Sequence, residues 1–395
     1  MKILHIIGGS HKGGAYKGAS ILHHSLLKFG IESKIINDKN FYNNSENEIN
    51  IFNENSLKKI LNIFYIYFEK FIKFIFLKSP RSIFTIGIFG FDITKTKEYK
   101  EADIIHIHWL SEGFISFKSI SKIKKPLVWT LRDEWLFLGG PHYSIDFKNI
   151  EENYLSKYLI KFKKKKINPN INFVAISEWL KKRAEKSYIL KNFKIRKILN
   201  NIKLEDFKLL DKNKAKSYLN ISTNKNILLL GALNPQSDRK GWKIINEIFK
   251  KIDKSKYFCL IYGNFWSDNI FQQTGIEYKS LGFIDDKIKL NNIYACADIF
   301  LSPSLEEAFG KTSAEAISCN TPVVCFKNTG TSEFIKHKYN GYLVDDFDSE
   351  MFLNGIYWLE KNKEQIDKNK IFDSLDDIES INIAKKYIDL YNSLI

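Results

Sequence analysis

The sequence has few cysteines and no long apolar segment, and both absences narrow the class of protein. It has four cysteines in 395 residues, none of them in a Cys-x-x-Cys pair. Zinc-ribbon and dithiol redox chemistry are therefore not expected, whereas buried, reduced thiols are. No uninterrupted apolar run reaches the roughly 18 residues of a transmembrane helix. The apolar run after Met1 is too short for a signal peptide, so we expect a cytoplasmic protein.

Two common nucleotide-binding motifs are also missing. Gly310-Lys311-Thr312 resembles the end of a Walker A motif, but Leu305 stands where the first glycine of that motif is required. The glycine-rich stretch 8–15 does not fit Gly-x-Gly-x-x-Gly, so a nicotinamide cofactor has little support. This stretch either forms an ordinary strand-to-helix turn or lets backbone amides approach an anion at a helix start.

The positive charge of the chain lies in its first half. The formal net charge is +16; residues 1–200 hold 35 basic and 18 acidic side chains, and residues 201–395 hold 26 and 27. This asymmetry predicts different partners for the two halves. The basic half should face an anionic partner, which is a membrane surface, a phosphate-bearing substrate or a nucleic acid.

Short apolar runs alternate with amphipathic ones, and the pattern starts twice. Residues 103–109 and 126–131 are typical of buried strands, and a new series begins at 224–232. The alternation predicts an α/β fold with two parallel, doubly wound, Rossmann-like sheets. We assign residues 1–205 and 206–377 to the two domains. Because open α/β sheets bind ligands at the carboxyl ends of their strands, we expect the domains to face each other across a ligand-binding cleft.

Two glutamates flank a glycine turn after the apolar run 298–304. Glu307 and Glu315 have seven residues between them, and a helix beginning near Phe309-Gly310 would carry Glu315 about two turns in. Each carboxylate could accept hydrogen bonds from hydroxyls, while amides at the helix start would face a phosphate. The pattern suits a sugar nucleotide, although two solvated helix glutamates explain it about equally well when it is taken alone.

The stretch around these glutamates resembles a known signature. "SPSLEEAFGKTSAEAISCNTPVVCF", followed by "NTGTSEFIKHKYNGYLV", is similar to the Glu-x7-Glu signature of family-4 (GT4) retaining glycosyltransferases, which have the two-domain GT-B fold. The resemblance extends over nearly the whole chain. "GGSHKGGA" matches the glycine loop of the family, and "ADIIHIHW" with "KPLVWTLRDEWLFLGGPHY" resembles a bacterial surface-polysaccharide branch. The resemblance also implies that the final segment, 378–395, crosses back onto the first domain.

The resemblance implies roles for individual residues. Glu307 would contact the donor sugar hydroxyls, and Lys240 would neutralise the diphosphate leaving group. Arg132 stands where the family has the histidine of "TLHD", and we interpret it as a contact to an anionic donor or acceptor; we count it with Glu307 and Lys240 as catalytic. The residues implied in donor binding are Glu315 at the ribose, Phe309, Gly310, Lys311 and Thr312 through their amides, Arg239 at the diphosphate, and Gly13 and Gly14 from the first domain. A second departure is Gly231-Ala232 in place of Gly-Arg, which removes one phosphate cation unless Arg239 replaces it.

The activity implied is that of a metal-independent, hexosyltransferase-type enzyme without a cofactor. It would move a sugar from a UDP- or GDP-linked donor to a glycan or lipid-linked acceptor in lipopolysaccharide or capsule synthesis, at the cytoplasmic face of the inner membrane. Asp346-Phe347-Asp348 is similar to an Asp-x-Asp metal site, but it lies where this family has a plain loop. The alternatives are a sugar-nucleotide epimerase of the same fold and a basic nucleic-acid-binding protein. For the second alternative, the sequence contains no recognisable nucleic-acid recognition module.

Residues 57–78 break the strand–helix alternation. At 100° per residue their polar side chains, including Lys58, Lys59, Lys70 and Lys73, fall on one arc. The remaining face is apolar and rich in phenylalanine and tyrosine. Lysines beside aromatic anchors are typical of a helix in the membrane interface, and we predict one beside the acceptor entrance. The alternative is a helix packed against the first domain with its lysines in water. The aromatic residues of the apolar face are Phe64, Tyr65, Tyr67, Phe68, Phe71, Phe74 and Phe76.

Overall fold

Two parallel β-sheets organise the chain, one in each of two units. Unit 1 consists of Met1–Asn201 and Ser380–Ile395, and unit 2 consists of Ile202–Glu379. The computed structural model describes residues 1–38, 47–52, 56–77, 83–147, 149, 152–265, 271–363, 366 and 375–395.

Unit 1 is built on a seven-stranded sheet whose central strands are buried and rich in apolar residues, as expected where helices cover both faces. Its strands are β1 (Lys2–Ile7), β2 (Glu32–Asn37), β3 (Glu48–Asn50), β4 (Ile104–Trp109), β5 (Leu127–Leu131), β6 (Ile171–Ala175) and β7 (Ile195–Lys197). The strand order is β3-β2-β1-β4-β5-β6-β7, with every neighbouring pair parallel. The order reverses between β1 and β4, which is the switch point where such sheets bind ligands.

In the described part of the chain before the second unit there are six α-helices. They are α1 (Gly14–Lys28), α2 (Ser56–Phe76), α3 (Lys97–Glu101), α4 (Phe117–Ile120), α5 (Tyr154–Lys166) and α6 (Glu178–Lys186). Their starts follow ordinary capping chemistry. Asn153 accepts hydrogen bonds from two amides at the start of α5, and Ser177 accepts one at the start of α6.

Unit 2 repeats the same topology with six strands. These are β8 (Asn226–Gly231), β9 (Tyr257–Tyr262), β10 (Tyr278–Ser280), β11 (Ile299–Ser302), β12 (Val323–Phe326) and β13 (Gly341–Val344), in the order β10-β9-β8-β11-β12-β13. Among its described residues the helices are α7 (Lys212–Tyr218), α8 (Trp242–Lys251), α9 (Lys287–Cys296), α10 (Lys311–Ser318) and α11 (Ser349–Lys361). The predicted α/β class with two doubly wound parallel sheets is therefore confirmed.

The last helix, α12 (Ser380–Asn392), belongs to unit 1. Its buried side chains Tyr387 and Tyr391 join the core that contains Ile3 of β1 and Leu22 of α1. The chain thus returns to its first unit at its end, as the resemblance implied. All four cysteines are buried and free, as expected from their apolar surroundings.

Helix α2 packs on unit 1 through part of its polar arc. Asn62 donates a hydrogen bond to the Gly113 carbonyl oxygen at 2.9 Å, and the Glu69 carboxylate accepts hydrogen bonds from the Ile86 and Gly87 amides at 3.0 and 3.2 Å. The two side chains are buried. The polar side chains predicted on one arc of residues 57–78 therefore do not all face solvent. Asn62 and Glu69 face the rest of unit 1 and bond to its backbone.

The opposite side of α2 is apolar and exposed. Tyr67, Phe71 and Phe74 are 66%, 59% and 84% exposed. Lys59 and Lys70 are exposed beside them, whereas Lys58 and Lys73 are half-buried. Lys78, at the end of the predicted segment, lies outside the described residues. Among the described residues, the structure contains no helix with the length and apolarity needed to cross a membrane.

Candidate active site

The loop between β11 and α10 carries the glutamate signature. Gly310 precedes α10 with a φ of +83°, and a Cβ there would lie 2.3 Å from Thr331 Oγ1, so only glycine fits this turn. Glu307 lies on the loop before the helix, as predicted. Helix α10 begins at Lys311 with Gly310 as its N-cap, beside the expected start near Phe309-Gly310, and Glu315 is its fifth residue. It therefore stands about one turn in, and not about two.

Lys240 and Glu307 form an ion pair at this loop. Two further bonds hold their segments together: the Leu305 amide donates to the Arg239 carbonyl oxygen at 2.8 Å, and the Arg239 guanidinium donates to the Glu306 carbonyl oxygen at 2.9 Å. A second close approach lies beside them. A Cβ on Gly241 would lie 1.9 Å from the Pro303 carbonyl oxygen. The start of α8 therefore lies directly against the end of β11.

The electrostatics of this pair keep Glu307 charged. Burial raises the pKa of Glu307, but Lys240 and Arg239 outweigh burial and hold the pKa below its ordinary value. Burial lowers the pKa of Lys240, Glu307 raises it and Arg239 lowers it, with a net decrease. The Phe309 amide also donates to the Glu307 carboxylate. A negative and a positive group thus stand side by side at the start of a helix, where unpaired amides favour anions.

Glu315 is held by a tyrosine that the sequence did not single out. The Tyr294 hydroxyl donates to Glu315 Oε2 at 2.8 Å, and it lies 2.5 Å from the Tyr262 hydroxyl. Lys311 lies 4.0 Å from the other carboxylate oxygen. Tyr294 is in α9 and Tyr262 ends β9, so no local sequence pattern links them to Glu315. Their phenolic groups are buried, and a buried tyrosine hydroxyl that needs a partner is the one signal that could have identified them.

A pocket at the Lys240–Glu307 ion pair is lined by several of the predicted residues. Lys240 and Thr312 line it together with Gly231 and Ala232, the pair that replaces the Gly-Arg of the family. Other lining residues are Leu230, Pro235, Trp242, Ile245, Phe300, Leu301, Ser302, Pro303 and Ser304. Unit 2 therefore places Lys240, Arg239, Glu307, Glu315 and residues 309–312 at one end of its sheet.

The glycine loop lies in unit 1, at the switch point of its sheet. Gly14 is the first residue of α1, and Gly13 is the N-cap with extended backbone. The Gly13 amide donates to the Ser10 carbonyl oxygen at 2.9 Å, and the Gly9 amide donates to Asp38 Oδ1 at 2.7 Å. The loop is thus a strand-to-helix turn whose helix start carries the amides on which an anion-binding role depends.

Arg132 lies just after β5 and is buried in unit 1. Its guanidinium donates to Asn200 Oδ1 at 2.8 Å and contacts His108 Nδ1 at 3.2 and 3.4 Å. A Cβ on Gly18 would lie 2.4 Å from the guanidinium, so α1 passes directly over it. Burial lowers the pKa of Arg132 to about 10. These contacts hold the guanidinium inside unit 1, and its contact with an anionic substrate stays a prediction.

A histidine cluster beside Arg132 has a spacing that could suit a metal ion. Ligand atoms of His5, His106 and His108 lie within 4.8 Å of one another. However, His106 Nδ1 lies 2.6 Å from the Tyr391 hydroxyl, His5 and His108 bond to each other at 2.8 Å, and the Arg132 cation lies against His108. A cation would be repelled there, and we interpret the cluster as structural.

The Asp-x-Asp stretch also has a structural role in this fold. The Asp348 side chain caps α11 by accepting hydrogen bonds from the Glu350 and Met351 amides, both within 2.9 Å. Its carboxylate is thus used in helix capping.

Comparison with known proteins identifies the domain to which this site belongs. Residues 211–371 match the family model described as glycosyl transferases group 1. The match lies within unit 2 and includes all the unit 2 residues discussed above. We call this range the group 1 domain.

Longer similarities extend beyond the group 1 domain. An uncharacterized 41.2 kDa protein in the cps region of Klebsiella pneumoniae is 26% identical over 338 residues, which cover 81% of this chain and 87% of that protein. An uncharacterized glycosyltransferase of Methanocaldococcus jannaschii is 25% identical over 322 residues, 78% of this chain and 77% of that protein. The crystal structure of Anabaena HepE in complex with UDP-glucose has a TM-score of 0.68 at 16% identity, over 100% of both chains. The structural likeness agrees with the GT-B fold that the resemblance implied.

Proposed function

We propose that this protein is a GT4-type glycosyltransferase that moves a hexose from a UDP- or GDP-linked donor to a surface-glycan acceptor, with retention of configuration and without a metal ion. The observation that carries the proposal is the Lys240–Glu307 ion pair at the start of α10, with Glu315 held one turn further on. This is a site with a cation, helix-start amides and two carboxylates, which are the groups that a sugar nucleotide requires.

The chemistry follows from where charge develops. As the bond between the sugar and the diphosphate breaks, negative charge grows on the leaving phosphate. Lys240, aided by Arg239 and by the amides at the start of α10, would stabilise that charge more strongly in the transition state than in the ground state. Glu307 compensates the Lys240 charge in the free protein and would then accept hydrogen bonds from sugar hydroxyls.

The donor and acceptor classes are supported by the relatives. The Anabaena structure contains UDP-glucose, which supports a nucleotide-sugar donor of this kind for the group 1 domain. The relative in a cps region of Klebsiella pneumoniae supports an acceptor that belongs to a surface glycan. Neither an epimerase nor a nucleic-acid-binding protein receives support from the comparisons.

The exposed face of α2 supports a lipid-linked acceptor and a peripheral place on an anionic membrane. Phe64, Tyr67, Phe71 and Phe74 all point outward because Asn62 and Glu69 anchor the opposite side. Exposed aromatic and apolar side chains can insert between lipids, and the flanking lysines are attracted to anionic head groups. We propose that this face enters the cytoplasmic leaflet of the inner membrane.

A donor screen tests the enzymatic proposal. Thermal shift and hydrolysis should be measured for UDP-, GDP- and ADP-linked sugars. We expect one of the UDP or GDP sugars to raise the melting temperature and to release its nucleoside diphosphate slowly in the absence of acceptor. An epimerase would interconvert two sugar nucleotides without lasting release of the diphosphate, and that outcome would replace the proposal.

A further inference from the structure

We infer that unit 1 carries a binding site for a divalent transition metal ion, best matched by Zn²⁺, formed by His23, His24 and Glu48. The three side chains each offer one ligand atom, and these atoms lie within 4.8 Å of one another. His23 and His24 lie on α1, and Glu48 begins β3 at the edge of the sheet. Two imidazoles with one carboxylate form a ligand set that zinc uses in proteins, with the fourth position open to water.

The orientation of the two histidines supports this role. His24 Nδ1 lies 2.7 Å from the Ser20 carbonyl oxygen, and a carbonyl oxygen only accepts, so Nδ1 carries the proton and Nε2 presents its lone pair. His23 Nδ1 lies 2.7 Å from the Ser33 hydroxyl. Metal-binding histidines in proteins are held by such bonds from their second ring nitrogen, which fix the ring and its tautomer.

The surroundings of the cluster differ from those of the histidines near Arg132. His23 is buried, Glu48 is half-buried and His24 is exposed, so an ion would have a path of entry from the His24 side. Ligand atoms about 2.0–2.2 Å from a tetrahedral zinc ion lie roughly 3.4 Å apart, so these atoms, which are within 4.8 Å of one another, would have to approach by side-chain rotation. The cysteines, which would be the strongest competitors for zinc, are buried in unit 2.

A bound ion would join two parts of unit 1. Tyr16 donates a hydrogen bond to Glu48, and the His11 ring packs on Tyr16 at 4.6 Å between centroids. The ion would therefore connect the short edge strand β3 with the second half of α1, and the Tyr16–Glu48 bond would link it to the first turn of α1, next to the glycine loop. This connection predicts that a bound zinc ion stabilises unit 1, independent of the sugar-transfer chemistry.

Zinc titration of the chelator-treated full chain tests the inference. Affinity should be measured by competition with a chromogenic chelator, for the wild type and for His24→Gln, Glu48→Gln and the control His337→Gln, which changes an exposed histidine of unit 2. We expect one Zn²⁺ per chain, a loss of affinity of at least about tenfold in the first two variants, and no change in the control. Zinc should also raise the melting temperature of the wild type and of His337→Gln.

Two results would overturn the metal site. One is the absence of stoichiometric zinc binding by the wild type. The other is equal affinity in all four proteins, which would place the ion elsewhere. Because His24 is exposed, His24→Gln should keep the metal-free circular dichroism spectrum and melting temperature of the wild type, so its loss of zinc would report the ligand and not unfolding. The spectrum of the Co²⁺ form should show nitrogen and oxygen ligation in the wild type and should change in His24→Gln.

Discussion

Lys240 donates a hydrogen bond to the Glu307 carboxylate although the two residues are 67 positions apart. The pair exists because Arg239 bonds to the backbone at Leu305 and Glu306, which brings the loop before α8 against the loop before α10. Both charges lie at the amino end of α10, where the helix amides favour an anion. This relationship is the centre of the proposed donor site, and the first prediction tests its acidic side.

Replacement of the two glutamates should affect different kinetic constants. Glu315→Ala should mainly raise the donor KM because it removes hydrogen bonds made in both ground and transition states, whereas Glu307→Ala should mainly lower kcat. Hydrogen bonds to a charged group contribute roughly 1.5–3 kcal/mol, which corresponds to about tenfold to a hundredfold in each constant. Steady-state kinetics with the donor found in the screen would measure both.

A conservative variant separates chemistry from packing in that experiment. Tyr294→Phe removes the hydroxyl that donates to Glu315 and keeps the ring. It should raise KM less than Glu315→Ala does. If both glutamate variants remain folded with the kinetics of the wild type, the two carboxylates do not hold the donor.

Gly310 should tolerate alanine less well than Gly30. Both have a positive φ, +83° and +72°, but a Cβ at Gly310 would meet Thr331 Oγ1 at 2.3 Å, whereas Gly30 has nothing within 4 Å. Gly30→Ala should lower the free energy of unfolding by about 1–2 kcal/mol from backbone strain alone. Gly310→Ala should lower it by a further 1–3 kcal/mol or so, because the neighbouring chain must move. Urea denaturation would measure both, and equal losses would contradict the packing around the α10 start.

The buried carboxyl of Glu69 should make unfolding sensitive to pH. Burial raises the pKa of Glu69 from 4.5 to about 7, despite hydrogen bonds from the Ile86 and Gly87 amides that lower it. Between these two pKa values the folded chain binds more protons than the unfolded chain. The free energy of unfolding should therefore fall as the pH rises from about 5 to about 7, by an amount on the order of 3 kcal/mol.

Glu69→Gln isolates this effect because the amide does not titrate. The difference in unfolding free energy between the wild type and Glu69→Gln should change with pH from 5 to 8 in the direction that favours the variant at high pH. Parallel pH profiles for the two proteins would show that Glu69 keeps its ordinary pKa and that α2 is not anchored as described.

Membrane binding should depend on both the lysines and the aromatic side chains of the exposed α2 face. The wild type should sediment with anionic vesicles at low salt and be released by high salt. Lys59→Glu with Lys70→Glu should abolish sedimentation through charge, and Phe71→Ser with Phe74→Ser through loss of apolar burial. The matched control, Lys161→Glu with Lys165→Glu on α5, makes the same charge change on another exposed surface of unit 1. If the control is the one variant that still sediments, the α2 face is the membrane-binding surface. A wild type that stays in the supernatant would contradict membrane binding.

The fold class followed from the sequence because its signals are local. Strands such as 103–109 and 126–131 are short apolar runs of the kind that parallel sheets bury, and their repetition predicts two doubly wound sheets. The neighbourhood of Glu307 could also be predicted from the sequence, because the loop, the glycine turn and the helix are contiguous in the chain. The partners of Glu315 were not, since Tyr262 and Tyr294 reach it only through the tertiary packing of β9 and α9.

Helix α2 shows the limit of periodicity arguments. The periodicity at 57–78 separates polar from apolar positions, and from it we predicted a membrane-interface helix with its polar side chains on one arc. The structure instead turns Asn62 and Glu69 toward unit 1, because the Ile86 and Gly87 amides and the Gly113 carbonyl need partners there. The hydrogen bonds of these backbone groups thus determine which side of α2 packs against the rest of unit 1. Nothing in the segment itself encodes the position of those backbone groups.

Calorimetric titration of the wild type and Lys240→Ala with UDP, GDP and the corresponding nucleosides tests the donor site most directly. Lys243→Ala is the matched control, because Lys243 is exposed on α8, three residues after Lys240, and pairs with Asp238 at 3.3 Å. We predict that the wild type and the control bind UDP or GDP, and that Lys240→Ala binds it at least about tenfold more weakly, in line with the loss of a charged hydrogen bond, while its affinity for the nucleoside is unchanged. Equal weakening for diphosphate and nucleoside, or no binding of either nucleotide by the wild type, would contradict the proposed function of the Lys240–Glu307 site.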